Sequence, residues 1–246
     1  MAEVLDFSYS DPSIALSVRT TRNGPENALT EAFIDNTVPN IRRHNRHYAL
    51  FCEPQIDTGF PDIVLATYNP SVFENWSKDR DRITTQDLKL LHHLHFVKGG
   101  NAEEIEAQLG ISSKPLVRSL ERLMTAGLIR WNAKKWIPIG IKNTFAISSL
   151  IAIEAKIKNW SSAFQQAKMN RWFASETYVL SPVEKPQEHI VKNSERSGIG
   201  IYCMSSKLKA IRIVTSKKGG IPSSYASWQF NEWIGRRLTS LQGNLK

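Results

Sequence analysis

The stretch LIAIEAKIKNW, residues 150–160, decides the fold because it sets two charged side chains inside an otherwise apolar run of strand length. Side chains alternate between the two faces of a strand, so Glu154 and Lys156 point to one face and their apolar neighbours to the other. A carboxylate and an ammonium group in such a strand are unfavourable to desolvate unless they are paired or used in chemistry. Taken alone, the pattern also fits a structural ion pair at the edge of a sheet.

Helix and strand patterns alternate on both sides of this stretch, which predicts an α/β core. Upstream, apolar positions at spacings of three and four predict a helix over residues 23–40. Two short apolar runs follow, at residues 48–52 and 61–68, and a turn between them allows a hairpin. The downstream pattern predicts helices at residues 160–174, 186–193 and 225–241 and strands at residues 177–180, 198–204 and 210–215.

Residues 84–139 have a different pattern of short helices and strands, which predicts a small domain inserted into the core. Leucine-rich patterns, glycines at helix ends and a capping box at Asn101 and Glu104 predict three short helices. Two short strands around a turn at residues 132–135 then predict a ribbon. The phrase LVRSLERLMTAGLIRW, residues 116–131, resembles the third helix and first ribbon strand of a winged helix-turn-helix domain.

Composition and charge narrow the class of protein. The chain of 246 residues carries 32 Lys and Arg against 23 Asp and Glu, a net charge of +9, which favours a polyanionic partner such as nucleic acid. It has no apolar run long enough for a transmembrane helix, so we expect no membrane partner. With Cys52 and Cys203 as its two cysteines, it has no disulfide framework, and we expect a cytoplasmic, nucleoid-associated protein.

Four pieces of the chain resemble the PD-(D/E)XK nuclease superfamily, which has the restriction-endonuclease-like fold. The resemblance implies a mixed α/β sheet flanked by helices, formed by residues 1–83 and 140–246 and interrupted by the winged helix-turn-helix at residues 84–139. The insert accounts for the long interval between the first two pieces, because surface connections tolerate insertions. The pieces are GFPDIVL (residues 59–65), LIAIEAKIKNW (150–160), FQQAKMNRWFASETYVLSP (164–182) and SGIGIYCMSS (197–206).

The resemblance also implies the metal ligands and the mechanism. In the family, the Asp of the PD motif and the acidic residue of the ExK motif bind the metal, and the Lys helps to activate water. These positions are Asp62, Glu154 and Lys156 in this chain, with Mg²⁺ as the expected ion and Mn²⁺ as a substitute. Carboxylates, water and phosphate are the ligands that Mg²⁺ usually takes in proteins.

Two further catalytic residues follow from the same resemblance. A Glu on the first helix often joins the metal ligands of the family, and Glu26 matches this position best, with Glu31 as the alternative. A Gln on the helix after the ExK strand is a family accessory, matched by Gln166, with Gln165 as the alternative.

The predicted insert supplies candidate contacts to DNA. Lys114, Arg118 and Arg122 recur at spacings of four, which places them on one stripe of the third helix. Such a recognition helix lies in the major groove, and Lys134 and Lys135 at the ribbon turn are placed to contact phosphates. A winged helix used for protein–protein contact or dimerisation is the alternative.

The sequence therefore predicts a Mg²⁺-dependent DNA endonuclease that engages DNA through its winged-helix insert. One alternative is a non-catalytic DNA-binding or assembly protein on a nuclease-like scaffold. Another is a nuclease subunit of a larger complex that a partner protein activates, as in a mobile-element or defence system. Cleavage of both strands by one active site per chain would favour a homodimer.

Overall fold

A computed structural model describes residues 4–20, 24–41, 46–205 and 209–243. Within these ranges, no helix combines the length and the apolarity needed to cross a bilayer. The strands are β1 (Val4–Phe7), β2 (His47–Cys52), β3 (Ile63–Tyr68), β4 (Ile129–Asn132), β5 (Lys135–Pro138), β6 (Ile147–Ala155), β7 (Glu176–Ser181), β8 (Gly200–Met204) and β9 (Ala210–Val214). The α-helices are α1 (Pro25–Ile41), α2 (Thr85–Val97), α3 (Ala102–Leu109), α4 (Ser113–Thr125), α5 (Ile141–Thr144), α6 (Trp160–Asn170), α7 (Glu188–Ser197) and α8 (Tyr225–Gly243).

The chain divides into two compact units, which we call the sheet unit and the helical unit. The sheet unit comprises Met1–Asn69 and Ile147–Ser223, and the helical unit comprises Pro70–Ala146 and Ser224–Lys246. The sheet unit contains a seven-stranded sheet of order β1-β2-β3-β6-β7-β8-β9. Neighbouring strands are parallel in the β1–β2, β6–β7 and β7–β8 pairs and antiparallel in the others. The predicted mixed α/β architecture is therefore confirmed.

Helices cover both faces of this sheet, because its strands carry apolar side chains on both faces. Leu29 and Phe33 of α1 pack on one face, in a cluster that includes Tyr178 and Leu180 of β7. Val179, between those two residues, points to the other face and packs in the cluster of α6. On β6, Ile153 and Ala155 belong to the α1 cluster. Glu154 between them therefore points towards α6.

The helical unit contains α2, α3 and α4 followed by the ribbon of β4 and β5. Capping boxes at Thr84 with Asp87 and at Asn101 with Glu104 begin α2 and α3, and the second of these confirms a prediction. Buried leucines of α2 and α4 form contacts between these helices. Ala133 and Lys134 form the two-residue ribbon turn with φ of 48° and 64°. Positive φ at both central positions is typical of the hairpin turn that matches strand twist.

The last helix lies in the helical unit. The sequence predicted a core of residues 1–83 and 140–246, whereas residues 70–83, 140–146 and 224–246 belong to the helical unit. In the structure, α8 packs on α2 and on a 3₁₀ turn at Lys78–Arg82. Buried contacts hold these elements together: the ring of Trp228 stacks on His95 at 5.2 Å, and Glu232 pairs with Arg80. Packing between segments far apart in sequence therefore sets the boundary, and the local periodicity of α8 carries no information about it.

Candidate functional site

Strands β3 and β6 bring Asp62 and Glu154 to the same end of the sheet. Asp62 directly precedes β3, and the antiparallel register pairs Ile63 with Ile153. The backbone N–H of Ala155 donates a hydrogen bond of 2.7 Å to Oδ2 of Asp62. This bond fixes the carboxylate of Asp62 beside the strand position that carries Glu154. The structure thus gathers two carboxylates that the sequence analysis selected.

Burial and mutual repulsion disfavour the ionised forms of both carboxylates. Glu154 is 3% exposed, and burial together with the negative charge of Asp62 raises the pKa of Glu154 to about 8. Burial also raises the pKa of Asp62, against the hydrogen bond from Ala155 and the charge of Lys156. Nδ2 of Asn170 donates a hydrogen bond of 2.6 Å to Oε1 of Glu154 and orients that carboxylate. The pair therefore occupies an environment in which added positive charge is favourable.

The raised pKa of Glu154 predicts a loss of stability as the pH increases in the absence of a divalent cation. Because its folded-state pKa of about 8 lies above the ordinary value of 4.5, the folded chain binds more protons between these values, and stability falls as the pH rises through this window. We expect Glu154→Gln to melt at a higher temperature than the intact protein at the alkaline end, with a difference that narrows towards the acid end. Thermal unfolding in EDTA, followed by circular dichroism, measures this difference.

The matched control is Glu188→Gln, which changes an exposed carboxylate paired with Lys192. We expect its melting profile to run parallel to that of the intact protein. A Glu154→Gln profile that is also parallel would contradict the assignment of the raised pKa to this side chain.

Lys156 stands one residue beyond the end of β6. Its backbone N–H still donates to the carbonyl oxygen of Leu180 on β7 at 2.9 Å, so the position of Lys156 is fixed by the sheet. Its Nζ donates to Oε2 of Glu26 at 2.9 Å. The Lys156 side chain is 18% exposed and that of Glu26, in the first turn of α1, is 48% exposed. Glu26 therefore lies at the site, as the partner of the lysine.

The structure separates the two alternatives that the sequence left open. Oε1 of Glu31 accepts a hydrogen bond from Asn27 on the same helix, and Glu31 does not line the cleft around Asp62, whereas Glu26 does. Gln166 lines the same cleft, and Gln165 instead lines a groove on the α7 side of α6. The positions of Glu26 and Gln166 are thus the ones compatible with a role at Asp62.

The candidate site opens into a cleft of about 740 Å³. Its walls are formed by the sheet ends, the beginning of α1 and the beginning of α6. Most of the residues that line it are polar or charged, which suits a charged substrate better than an apolar one. The lining residues are Arg19, Gly24, Pro25, Glu26, Asn27, Thr30, Glu53, Phe60, Asp62, Lys156, Ile157, Lys158, Asn159 and Gln166.

Three residues of the site escaped the sequence analysis: Arg19, Glu53 and Asn170. Nε of Arg19 lies 2.6 Å from Oε2 of Glu53, and its Nη2 lies 4.0 Å from Oδ1 of Asp62. The N–H of Glu53 donates to the carbonyl oxygen of Asp62 at 3.0 Å. Glu53 follows β2 directly, so the predicted hairpin was a usable signal that it would lie beside Asp62. No local pattern marks Arg19.

The donor set fits a divalent cation with few protein ligands. The hydrogen bonds to the two carboxylates end on Oδ2 of Asp62 and Oε1 of Glu154, and Mg²⁺ is commonly held by one or two carboxylates together with water and phosphate. Across the described ranges, no group of three or more His, Cys, Asp or Glu side chains is arranged to hold a metal. The predicted third ligand, Glu26, is engaged by Lys156.

In the helical unit, four of the five predicted DNA contacts are exposed. Lys114 and Arg118 lie on the surface of α4, and Lys134 and Lys135 lie at the ribbon turn. Arg122 differs, because its Nε and Nη2 donate to the two carboxylate oxygens of the buried Asp87 at 2.8 and 2.7 Å. The geometry gives Arg122 a structural role, joining α4 to the capping box of α2.

Comparison with known proteins gives no relative for this chain: no family model, no curated protein and no solved structure matches it.

Proposed function

We propose that the sheet unit is a Mg²⁺-dependent endonuclease that hydrolyses phosphodiester bonds in DNA, on a restriction-endonuclease-like scaffold. One observation carries the proposal. The buried carboxylate of Glu154 and the partly buried carboxylate of Asp62 share the end of a mixed sheet with Lys156, and Asp62 and Lys156 line an open polar cleft there. The net charge of +9 supports a polyanionic substrate.

The proposed mechanism assigns one task to each side chain. Asp62 and Glu154 would hold the Mg²⁺ ion, and Asn170 keeps the second carboxylate oriented. When bound, the ion neutralises charge on a phosphate and makes a water molecule more acidic. Lys156 positions the attacking water and stabilises the negative charge that develops on the phosphate.

Glu26 and Gln166 complete the proposed machinery. Glu26 holds the ammonium group of Lys156 at the cleft, so it is a positioning residue in this arrangement. Gln166 presents an exposed amide to the same cleft, where it can bind substrate oxygens.

The test is cleavage of supercoiled plasmid, linear single-stranded DNA and RNA in the presence of Mg²⁺, Mn²⁺ or EDTA. We expect DNA cleavage with either metal and none in EDTA. Linear plasmid as the first product would indicate two sites acting together, as in a homodimer, and nicked plasmid would indicate one. Intact substrates under every metal condition, from a folded protein, would contradict the proposal.

A partner-activated nuclease subunit is the second candidate, and the Lys156–Glu26 ion pair favours it. A lysine whose Nζ is bonded to a carboxylate at 2.9 Å is less available to water and phosphate. If the intact chain is inert with metal, this candidate predicts that Glu26→Gln, which weakens the pair, restores cleavage. An inert Glu26→Gln protein would leave the non-catalytic DNA-binding alternative.

We also infer that the helical unit is a winged helix that binds DNA. Three helices precede a two-stranded ribbon, and exposed cations lie both on α4 and at the ribbon turn. Because Arg122 is bonded to Asp87, the recognition stripe is reduced to Lys114 and Arg118. Helix surfaces of this kind place positive charge against the phosphates that flank the major groove.

Replacing Lys114 and Arg118 by alanine together is expected to weaken duplex binding and its dependence on salt. Loss of two phosphate contacts should reduce the slope of log K against log salt concentration by about 1.8. Binding isotherms on duplex DNA in EDTA, at several salt concentrations, measure the slope. The control is Lys78→Ala with Lys142→Ala, which removes equal charge from other exposed positions of the same unit. Equal slopes for the two variants would exclude α4 as the contact.

A further inference from the structure

A second groove lies on the sheet unit, on the side of α6 that faces α7. Its volume is about 380 Å³. The bottom of the groove is apolar, since Phe164 is 7% and Ile199 is 1% exposed, and its rim is polar. The lining residues are Trp160, Ser161, Phe164, Gln165, Lys168, Ile190, Asn193, Ser197 and Ile199.

Trp160 is positioned as a stacking surface in this groove. Its ring packs on that of Phe164 with centroids 6.1 Å apart and planes inclined by 30°. Phe164 is buried, whereas Trp160 remains partly exposed at the rim. An aromatic ring that is held by a buried neighbour and open to solvent offers a flat surface with little conformational freedom to lose. Nucleobases stack on such surfaces whatever their sequence.

A cationic pocket of about 430 Å³ continues from the groove and shares Ser197 with it. Arg171, Arg196 and Lys217 line this pocket, against the single carboxylate of Glu195. Nη1 of Arg171 donates to the carbonyl oxygen of Ser197 at 2.6 Å, which fixes its guanidinium group at the junction. The excess of positive charge is complementary to phosphate.

Helix α6 connects both features to the candidate active site. At its beginning, Asn159 lines the cleft of Asp62 and the next residue, Trp160, lines the groove. Between one and two turns later, Gln166 faces the cleft and Gln165 faces the groove. At its end, Arg171 reaches the cationic pocket. Since α6 has 11 residues, the path beside it is about 16 Å long.

We propose that the α6–α7 groove binds a single strand of nucleic acid, with one base stacked on Trp160 and phosphates further along the strand on Arg171 and Lys217. Bases in a duplex are already stacked and paired, so only an unpaired strand can offer a free base to the tryptophan. The inference goes beyond the proposed nuclease function. It rests on that function only for the role of the groove, which is to hold an unpaired strand beside the cleft.

The experiment measures fluorescence anisotropy of short labelled strands in EDTA, where no metal-dependent hydrolysis occurs. The probes are oligothymidylate, oligouridylate, an abasic DNA strand and a DNA duplex. We expect Trp160→Leu, which keeps an apolar contact with Phe164, to weaken binding of the thymidylate or uridylate strand by about 5- to 150-fold. Binding of the abasic strand should not change. Tighter binding of oligothymidylate would identify DNA as the ligand, and tighter binding of oligouridylate would identify RNA.

A second variant tests the phosphate contacts without changing Trp160 or Phe164. Arg171→Ala with Lys217→Ala should reduce the salt slope for single strands by about 1.4, the value for two lost contacts. Tyr9→Ala and Lys192→Ala are the controls, an exposed aromatic ring and an exposed cation outside the groove. They should bind as the intact protein does.

Unchanged affinity in Trp160→Leu, or an unchanged salt slope in the Arg171 and Lys217 variant, would overturn the inference. So would an equal loss of duplex binding in Trp160→Leu. A protein that binds single strands through Trp160 but never cleaves contradicts the proposed function alone. Cleavage that is independent of Trp160, Arg171 and Lys217, with no effect on binding, contradicts this inference alone.

Discussion

Lys156→Ala is expected to reduce metal-dependent DNA cleavage by about 10²- to 10⁴-fold, the usual contribution of a positioned proton-transfer or charge-stabilising group. The physical reason is the location of Nζ, which lies at the same sheet end as the two carboxylates and 2.9 Å from Glu26. The measurement is the initial rate of plasmid nicking with Mg²⁺ at saturating DNA.

Stability and binding must stay intact for this result to bear on chemistry. The Lys156–Glu26 pair is partly exposed, so its removal should change the free energy of unfolding by no more than about 1 kcal/mol. DNA binding in EDTA should persist. Lys192→Ala, which removes a cation from α7 outside the cleft, is the matched control and should cleave normally. Normal cleavage by Lys156→Ala would remove the lysine from the mechanism and the strongest reason for the nuclease assignment.

Glu232→Ala is expected to destabilise the helical unit by about 3–5 kcal/mol. Glu232 is 1% exposed, and its Oε2 accepts a hydrogen bond of 3.1 Å from Nε of the buried Arg80. Removing the carboxylate leaves the Arg80 guanidinium buried against the ring of Trp76, 3.6 Å from its centroid, without its counter-charge. Urea unfolding followed by circular dichroism measures the loss.

Two comparisons identify the cause of that loss. Glu188→Ala breaks an exposed ion pair on α7 and should cost less than about 0.5 kcal/mol. The double variant Arg80→Met with Glu232→Leu replaces both charges with apolar groups and should recover most of the stability, because the Arg80 guanidinium is no longer buried without its counter-charge. A double variant as unstable as Glu232→Ala would show that lost packing, and not the unpaired charge, is responsible.

The sequence was most informative where local patterns coincide with tertiary roles. The predicted strand around Glu154 is β6, and the predicted hairpin at residues 48–68 is the β2–β3 pair. Both are short, nearly continuous apolar runs, as expected of strands buried on both faces, so the runs themselves locate these strands. Asp62 and Glu154 are placed together for the same reason, because each stands at a defined position on a predicted strand.

The sequence was least informative where a side chain finds its partner far along the chain. Arg122 has the spacing of a DNA-contacting stripe, yet Asp87 engages it. Arg19 belongs to a segment without periodicity and reaches the site through Glu53. Such pairings depend on which elements pack together, and composition and spacing do not encode that choice. The residue types that the chemistry requires can be identified from local sequence patterns, but their partners in the folded chain cannot.

The point at which the chain leaves and re-enters the sheet has a consequence for folding kinetics. Tyr68 at the end of β3 is paired with Ile147 at the start of β6, so the whole 70–146 segment acts as the loop of one hairpin. Closing a loop costs about 0.6 kcal/mol more for each doubling of its length when the loop is unstructured. The pairing of β3 with β6 is therefore a contact of high sequence separation, and such contacts slow folding. During synthesis, β1–β3 emerge with one side unpaired until the intervening segment is complete.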